Sequence, residues 1–424
     1  MRSALSFIAA KLASLRAKGI FHTFTALVAV QVLAFAMRIL LGRWLPLDAF
    51  GRLALLIESI NVGASLLTLG LPTALMWFGV RENRPDYHLA GTLRVLAVYG
   101  LLALLAYAAY RQVGTVFDDV RTSRLLDGFI LLAPPFAAFN YISAYLIASK
   151  HGRERAWLIF LQRLCMVALV LAGAALNGFS GALGGLALGM GGFVVAMLLH
   201  YRRVVFMAVP GYPYGALLRF SLVDSAGIVP TALAPFLLLM LSERLLQDVS
   251  SISHLAMALS FTVVARFAFA AIADNMFPYF MDQPDHRAFR ILLGKVLLLY
   301  AVIAAAVLVV SFTVVPLLIE WLLGARFQPS IPLFKIVIVG ETLLAFSLLF
   351  ENIHQTLRML KTKAACINAA LLALVVALAL LVPVYGIIGS AYAFLAYVAV
   401  RAGAMTAGMV YILLHPSTFR IVTD

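Results

Sequence analysis

Several charged side chains lie inside long apolar stretches of this sequence. Arg38, Arg266 and Arg401 are cations of this kind, and Glu58 and Glu341 are acids. An arginine donates paired hydrogen bonds from a rigid fork and stays charged, which suits it to phosphate. A carboxylate in the same surroundings can neutralise an arginine or take up a coupling cation. If the apolar stretches cross a membrane, these charges are costly and point to function.

The composition is that of a membrane protein. The 424 residues are 64% hydrophobic and only 12% charged, whereas a soluble domain carries about 25% charged residues. The net charge of +14 comes from basic residues scattered between apolar runs, which argues against nucleic acid as a partner. Cys165 and Cys366 both lie in apolar runs, so we expect buried thiols with no disulfide and no metal site.

Twelve apolar segments each approach the ~20 residues that a membrane-spanning helix needs. The connections between them are too short to fold as a soluble domain. The sequence therefore predicts an all-α, polytopic membrane protein of about 12 transmembrane helices. The predicted spans are 20–41, 52–78, 91–110, 125–148, 156–176, 182–200, 219–241, 253–277, 291–318, 332–353, 365–384 and 387–413.

Lysine and arginine are unevenly distributed between the two sets of connections. With the N-terminus in the cytoplasm, 19 of the 32 basic residues fall on the cytoplasmic side, eight on the opposite side and five within spans. This bias predicts that both termini are cytoplasmic. Trp44, Trp77, Trp157 and Trp321 fall at predicted span ends, as interfacial aromatic residues do.

A faint internal repeat relates the two halves of the chain. A Gly-x-x-Gly motif opens the sixth span at Gly181 and the twelfth at Gly386, an offset of 205 residues, and Asp48 and Asp248 are offset by 200. Glycine is also common in membrane helices without any repeat. A true repeat predicts two six-helix lobes around a central cavity. The predicted division is an interfacial amphipathic segment 1–19, an N-terminal lobe 20–200, a cytoplasmic linker 201–218, a C-terminal lobe 219–413 and a cytoplasmic tail 414–424.

Five short motifs follow one another along most of the chain. They are LGRWLPLDAFGRLALL at 41–56, LLTLGLPTAL at 66–75, WLLGARFQPSIPLF at 321–334, LKTKAA at 360–365 and PVYGIIGSAYA at 383–393. In this order and spacing they resemble bacterial polysaccharide and O-antigen flippases. That family belongs to the multidrug/oligosaccharidyl-lipid/polysaccharide flippase superfamily.

The resemblance implies an alternating-access transporter in the bacterial inner membrane. It would move undecaprenyl-diphosphate-linked oligosaccharide from the cytoplasmic to the periplasmic leaflet during cell-surface polysaccharide biosynthesis. The resemblance also implies that spans 1, 2, 7 and 8 line the central cavity. The implied partners are the lipid-linked oligosaccharide and membrane lipid, and contact with other membrane proteins of polysaccharide assembly is left open.

Substrate binding is assigned to cationic and amide side chains within the spans. Arg266 is about 13 residues into its span, roughly 20 Å along the helix. Arg38 is near a span end, where snorkelling to the interface explains its charge equally well, and Arg163 could pair with loop charges near 150–155. The predicted diphosphate- and glycan-binding residues are Arg38, Arg266, Arg401, Gln31 and Asn140.

The acidic residues have a functional and a structural interpretation. They could couple transport to an ion or gate the lobes, or they could form static salt bridges between helices. A facing carboxylate, Glu341 or Asp224, would neutralise Arg266, whereas Asp274 is about 12 Å along the same helix and too far. Because the resemblance places this span at the cavity, we prefer water and a substrate phosphate around Arg266. The predicted coupling or gating residues are Glu58, Asp224, Asp274 and Glu341.

Enzymatic functions fit the sequence poorly. It contains no H-E-x-x-H and no G-x-x-x-x-G-K-[ST] motif, which would indicate a metalloprotease or a nucleotide-binding loop. We therefore expect no catalytic residues and no cofactor other than a coupling ion, either a proton or sodium. The alternatives are a cation-coupled multidrug exporter of the same superfamily, which should have an acidic cavity, and a membrane glycan polymerase or ligase.

Overall fold

The computed structural model describes residues 20–281, 286–357 and 359–415. Within these residues the regular elements are helices and no strand is present, which confirms the predicted all-α class. The predicted amphipathic segment and nearly all of the predicted tail lie outside them. The helices are α1 (Ile20–Trp44), α2 (Leu47–Thr68), α3 (Leu71–Arg81), α4 (Pro85–Arg111), α5 (Val120–Phe129), α6 (Ala133–Ala148), α7 (Gly152–Ala187), α8 (Phe193–His200), α9 (Arg202–Val205), α10 (Tyr214–Leu246), α11 (Val249–Met281), α12 (His286–Leu323), α13 (Ser330–Thr356), α14 (Leu360–Tyr385) and α15 (Ile387–Leu414).

The predicted spans fall on these helices, with one clear difference at span 2. In the described part of the chain, nine helical stretches are long and apolar enough to cross a membrane. Span 2 is not continuous, because Leu69 and Gly70 have positive φ values of 44° and 72°. Left-handed residues cannot continue a right-handed helix. Pro72 then lies in the first turn of α3, where its missing N–H is tolerated.

Two tight hairpins have almost the same backbone geometry at a glycine. One break lies within α7 at Gly178 (φ 54°, ψ −133°), and the other lies between α14 and α15 at Gly386 (φ 61°, ψ −142°). Glycine reaches this region at no steric cost because it has no Cβ. The 49-residue stretch Gly152–His200 therefore holds two antiparallel helices, which correspond to predicted spans five and six.

The hairpins support the internal repeat, but the predicted register of 205 residues was wrong. A second glycine follows each turn glycine by three residues, Gly181 in the first hairpin and Gly389 in the second, so the offset is 208. A Cβ on Gly181 would overlap the carbonyl group of Gly173, and a Cβ on Gly389 would overlap that of Leu381. The sequence misled because two Gly-x-x-Gly pairs overlap at 178–184, and only the backbone shows which pair makes the turn.

Contacts within the chain group the described residues into two units. In unit 1, α1 packs on α7, and α3, α4 and α6 pack together. In unit 2, α13 packs against α11 and α15, and α14 packs against α15. The predicted linker belongs to unit 1. Unit 1 consists of residues 20–44, 63–114 and 127–222, and unit 2 of residues 45–62, 115–126 and 223–415.

The close backbone approach at the hairpin glycines predicts that one added methyl group lowers the stability of the protein at Gly181 but not at Gly184. Gly181→Ala should lower stability by about 1–3 kcal/mol, because the new Cβ meets backbone that must shift. Gly184→Ala is the matched control, since no atom lies within 4 Å of the Cβ position at Gly184. The measurement is the thermal unfolding midpoint of purified protein in detergent. Equal midpoints for the two variants would contradict the close approach.

Candidate functional site

An ion pair between two packed helices of unit 2 holds Arg266. Arg266 on α11 donates from Nε to Oε2 of Glu341 on α13 at 2.9 Å, and a second guanidinium nitrogen donates to Oε1. The Glu341 side chain is fully buried, whereas that of Arg266 is 43% exposed. The facing carboxylate named as an alternative, Glu341, is therefore present, while the exposed part of Arg266 leaves room for water beside it. The role of Arg266 in phosphate binding stays a prediction.

A second ion pair of unit 2 is more deeply buried. Arg401 on α15 is 1% exposed and donates from Nε to Oε1 of Glu351 on α13 at 2.7 Å. Its other nitrogens donate to the hydroxyl of Tyr397 and, at 3.4 Å, to Oγ1 of Thr231 on α10. Arg401 was predicted to contact substrate, but in this conformation protein atoms surround its guanidinium.

Glu58 on α2 adds a third acid to these pairs. Asn61 donates from Nδ2 to Oε2 of Glu58 at 3.4 Å, which confirms that the two residues share a helix face. The charge of Glu58 and the hydroxyl of Tyr397 both act electrostatically on Arg266. The two ion pairs therefore belong to one charged cluster of unit 2, which comprises Glu58, Arg266, Glu341, Glu351, Tyr397 and Arg401.

Two members of the charged cluster, Glu351 and Tyr397, were not predicted from the sequence. Glu351 lies at the end of predicted span 10. An acid at that position is expected to face the membrane interface, and a contact with a buried arginine is not expected. Tyr397 precedes Arg401 by four residues, which places both on one helix face. That spacing was the available signal, but tyrosine in a membrane helix has many other roles.

The arginines of unit 1 have different surroundings. Arg163 on α7 is partly buried, its Nε is buried without a hydrogen-bond partner, and the charge of Arg38 on the packed helix α1 acts on it. The predicted pairing of Arg163 with loop charges near 150–155 is not seen at Nε. Gln31 on α1 and Asn140 on α6 are both partly buried.

Two predicted acids lie outside the charged cluster. Asp224 on α10 is partly buried, and its Oδ2 is buried without a hydrogen-bond partner. Two residues later, the carbonyl of Ala226 accepts a hydrogen bond from Nδ2 of Asn368 on α14 at 3.0 Å. Asp274 falls on α11, where its side chain lies outside the described residues.

A loop of unit 2 is held by contacts that the sequence did not reveal. We call residues 115–126 the docked segment. The backbone N–H groups of Asp118 and Asp119 donate to the carboxylate of Glu243 at 3.0 and 2.7 Å. The Arg244 guanidinium donates to the carbonyls of Thr115 and Val116. Because Glu243 is only 1% exposed, its carboxylate depends on these N–H groups.

Arg52 ties the docked segment to the start of α2. Its Nε donates to Oδ2 of Asp119 at 2.8 Å, and it also pairs with Asp48 one turn earlier. Burial opposes ionisation of Asp119, but hydrogen bonds from Arg52 and Thr122 outweigh it, so the pKa of Asp119 is lowered. Asp248, which precedes α11, also has a lowered pKa, because hydrogen bonds from Ser250 and Ser251 outweigh the effect of burial.

The described residues form no group of three or more histidine, cysteine or acidic side chains that could hold a metal ion. Cys165 and Cys366 are free and only partly buried, whereas the sequence predicted buried thiols. The site is thus built from ion pairs and hydrogen bonds between helices. These contacts recognise and neutralise charge.

Solved structures with this fold are membrane transporters. The chain aligns with the lipid II flippase MurJ in an inward-closed conformation at a TM-score of 0.70 and 12% identity, covering 92% of this chain and 89% of that chain. An inward-facing multidrug resistance MATE family transporter of the MOP superfamily gives 0.69 at 12% identity, covering 93% and 96%. This chain shares its fold with these two transport proteins.

A further structure with this fold is a mutant of the Vibrio cholerae MATE transporter VcmN. It aligns at a TM-score of 0.62 and 15% identity, covering 96% of this chain and 99% of that chain. No protein-family model and no curated protein matches the sequence. The MOP-superfamily neighbours are transporters and flippases, not enzymes, and their coverage extends over nearly the whole chain.

The buried pair predicts a large stability loss when one partner is removed. Arg401→Met should cost about 3–5 kcal/mol, because it leaves the carboxylate of Glu351 buried without its cation. Adding Glu351→Leu should recover most of the loss, since an apolar pair needs no neutralisation. The measurement is the unfolding midpoint in detergent, with exposed Arg203→Met as control. A double variant as unstable as Arg401→Met would contradict the pairing.

The docked segment should be released when Glu243 is removed. Glu243→Ala leaves two backbone N–H groups without their acceptor, and each costs about 1–3 kcal/mol. Trypsin should then cleave after Arg121 or Arg124, both exposed within the docked segment, at least about tenfold faster. Exposed Glu320→Ala is the matched control. Unchanged cleavage in Glu243→Ala would show that other contacts hold the segment.

Acid should break the ion pair of Asp119 with Arg52, and with it this part of the docking, only at low pH. The pKa of Asp119 is lowered, so its contribution to stability is present above the ordinary aspartate pKa of about 3.9 and is lost as pH falls through the folded value. The protein is exposed briefly to acid and then returned to neutral pH with trypsin already present. The fraction that stays uncleaved in the docked segment should be the same after exposure at any pH from 5 to 8. A loss already at pH 6 would contradict the assignment.

Proposed function

We propose that this protein is a flippase for a lipid-linked oligosaccharide. It moves undecaprenyl-diphosphate-linked sugars from the cytoplasmic to the periplasmic leaflet of the bacterial inner membrane by alternating access, with both termini in the cytoplasm. The shared fold with a lipid II flippase supports this proposal. The guanidinium of Arg163 in unit 1 carries it, because its Nε is buried without a hydrogen-bond partner and a guanidinium fits an anionic diphosphate.

Two packed helices of unit 1 each place an arginine within a predicted span. Arg38 on α1 and Arg163 on α7 interact electrostatically, and Nε of Arg163 is buried without a hydrogen-bond partner. Helix α1 contains no acidic residue, and the only acid of α7 is Glu154 in its first turn. A cation at the bilayer centre costs about 2.5–3.5 kcal/mol. An anionic ligand that binds between these helices would offset part of this cost.

A diphosphate matches this arrangement better than an organic cation does. Phosphate oxygens accept paired hydrogen bonds from guanidinium groups. In unit 2, Glu341 and Glu351 are each already engaged by an arginine, so neither carboxylate is available to a cationic drug. Gln31 and Asn140 supply amide groups on α1 and α6 for the hydroxyl groups of a glycan.

Asp224 is our candidate for ion coupling and the one feature that favours a second function. A carboxylate oxygen buried without a hydrogen-bond partner has capacity for a proton or a sodium ion. The same feature would suit a cation-coupled multidrug exporter, which is the second candidate. Asp224→Asn should abolish the dependence of transport on the ion gradient in either case, so the transported substrate decides between them.

Substitutions of Arg163 test whether this residue binds the substrate or only stabilises the fold. Arg163→Met should leave the unfolding midpoint unchanged or raised, because no buried partner of Nε is orphaned, unlike Arg401→Met. Transport of radiolabelled lipid-linked oligosaccharide into inverted vesicles should fall about 10–100-fold, the value of a hydrogen bond to a charged group. Arg163→Lys should keep part of the activity, because it retains the charge but loses the planar fork.

Exposed Arg287→Met is the control for a general loss of positive charge. Full transport by a stable Arg163→Met protein would contradict phosphate binding by this residue. Efflux of ethidium by the wild-type protein, without uptake of lipid-linked oligosaccharide, would favour the exporter. The two substrates are therefore assayed on the same vesicle preparations.

A further inference from the structure

An open cavity of about 470 Å³ lies where α6 ends and α7 begins. Its basic side chains, those of Lys150, His151 and Arg153, are exposed. The backbone here is fixed, because Lys150 has a positive φ of 61° and the N–H of His151 bonds to the carbonyl of Leu146 at 2.8 Å. The lining consists of Lys150, His151, Gly152, Arg153, Glu154 and Trp157.

The single acid of this cavity is already engaged. The hydroxyl group of Tyr201 donates to Oε1 of Glu154. Arg155 is directed to the neighbouring helix, where its Nε donates to Oγ of Ser143 at 3.0 Å. Glu154 keeps its negative charge, but Lys150 and Arg153 together carry two positive charges, so the lining has a net positive charge with His151 neutral. Its electrostatics favour an anion.

An exposed apolar track leads away from the cavity along α7. Trp157, Leu161 and Leu164 follow one another at helical spacing and are 55%, 43% and 39% exposed. The opposite face of the helix is buried at Gln162 and Met166. Charge at one end and an apolar track beyond it match a molecule with an anionic head and a hydrocarbon chain. A tryptophan between the two suits the membrane interface.

We propose that this cavity binds the phosphate headgroup of an anionic phospholipid, with an acyl chain along Trp157, Leu161 and Leu164. Basic pockets at the ends of transmembrane helices bind such headgroups. The apolar track distinguishes the lipid from free inorganic phosphate, which would use only the basic end. Binding here depends neither on the transported substrate nor on the direction of transport.

Quenching of Trp157 by brominated lipid tests the proposal. The protein carries Trp44→Phe, Trp77→Phe and Trp321→Phe, so that Trp157 alone emits, and it is placed in nanodiscs of phosphatidylcholine. Phosphatidylglycerol with brominated acyl chains should quench Trp157 at lower mole fraction than brominated phosphatidylcholine. The preference should fall about fivefold for each basic side chain removed, in Lys150→Ala and Arg153→Ala.

Arg287→Ala with Arg290→Ala is the matched control, because these exposed arginines have the same three-residue spacing at the start of another long helix. That control should keep the preference for phosphatidylglycerol. Equal quenching by the two lipids, or a preference that survives loss of both Lys150 and Arg153, would overturn the proposal. So would displacement of the brominated lipid by inorganic phosphate but not by chloride at equal ionic strength, which would identify a free-phosphate site.

Discussion

Neutralising guanidinium groups in apolar surroundings is the constraint on which this structure depends. A cation removed from water must gain a counter-charge or keep contact with solvent. Unit 2 meets this requirement internally, since α13 presents Glu341 to α11 and Glu351 to α15. These pairs fix how the three helices pack. In unit 1, α1 contains no acidic residue, and the packed helix α7 holds Arg163 with its Nε buried.

The contrast between the units separates structure from recognition. Arg401 has a protein partner at each of its three guanidinium nitrogens, so its charge helps to hold helices together. Arg163 is buried at Nε without such a partner. Binding sites commonly contain groups whose hydrogen-bonding capacity is incompletely used in the protein. Depth in the membrane, the criterion available from sequence, does not distinguish these two arginines.

The sequence predicted the helices well and their partners poorly. Apolar length identifies spans, because a bilayer accepts only backbone whose hydrogen bonds are satisfied internally. The same rule gives no information on which helix faces Arg266. The break at Leu69 and Gly70 is marked in the sequence only by Gly70 and Pro72, and membrane helices also contain both residue types without a break. Glu243 was missed because its partners are backbone N–H groups, which every residue carries. Side-chain chemistry can be read from sequence, but backbone partners appear only when the fold is known.

The division of the chain between the units has a consequence for biosynthesis. Residues 45–62 belong to unit 2, yet nearly all the rest of that unit begins at residue 223. At 5–20 residues per second, α2 leaves the ribosome about 10–40 s before α11 is complete. During that interval Ser253, which bonds to the carbonyl of Leu47, has not been made. Helix α2 therefore enters the membrane before its partner on α11 exists, and misassembly can compete with folding during that interval.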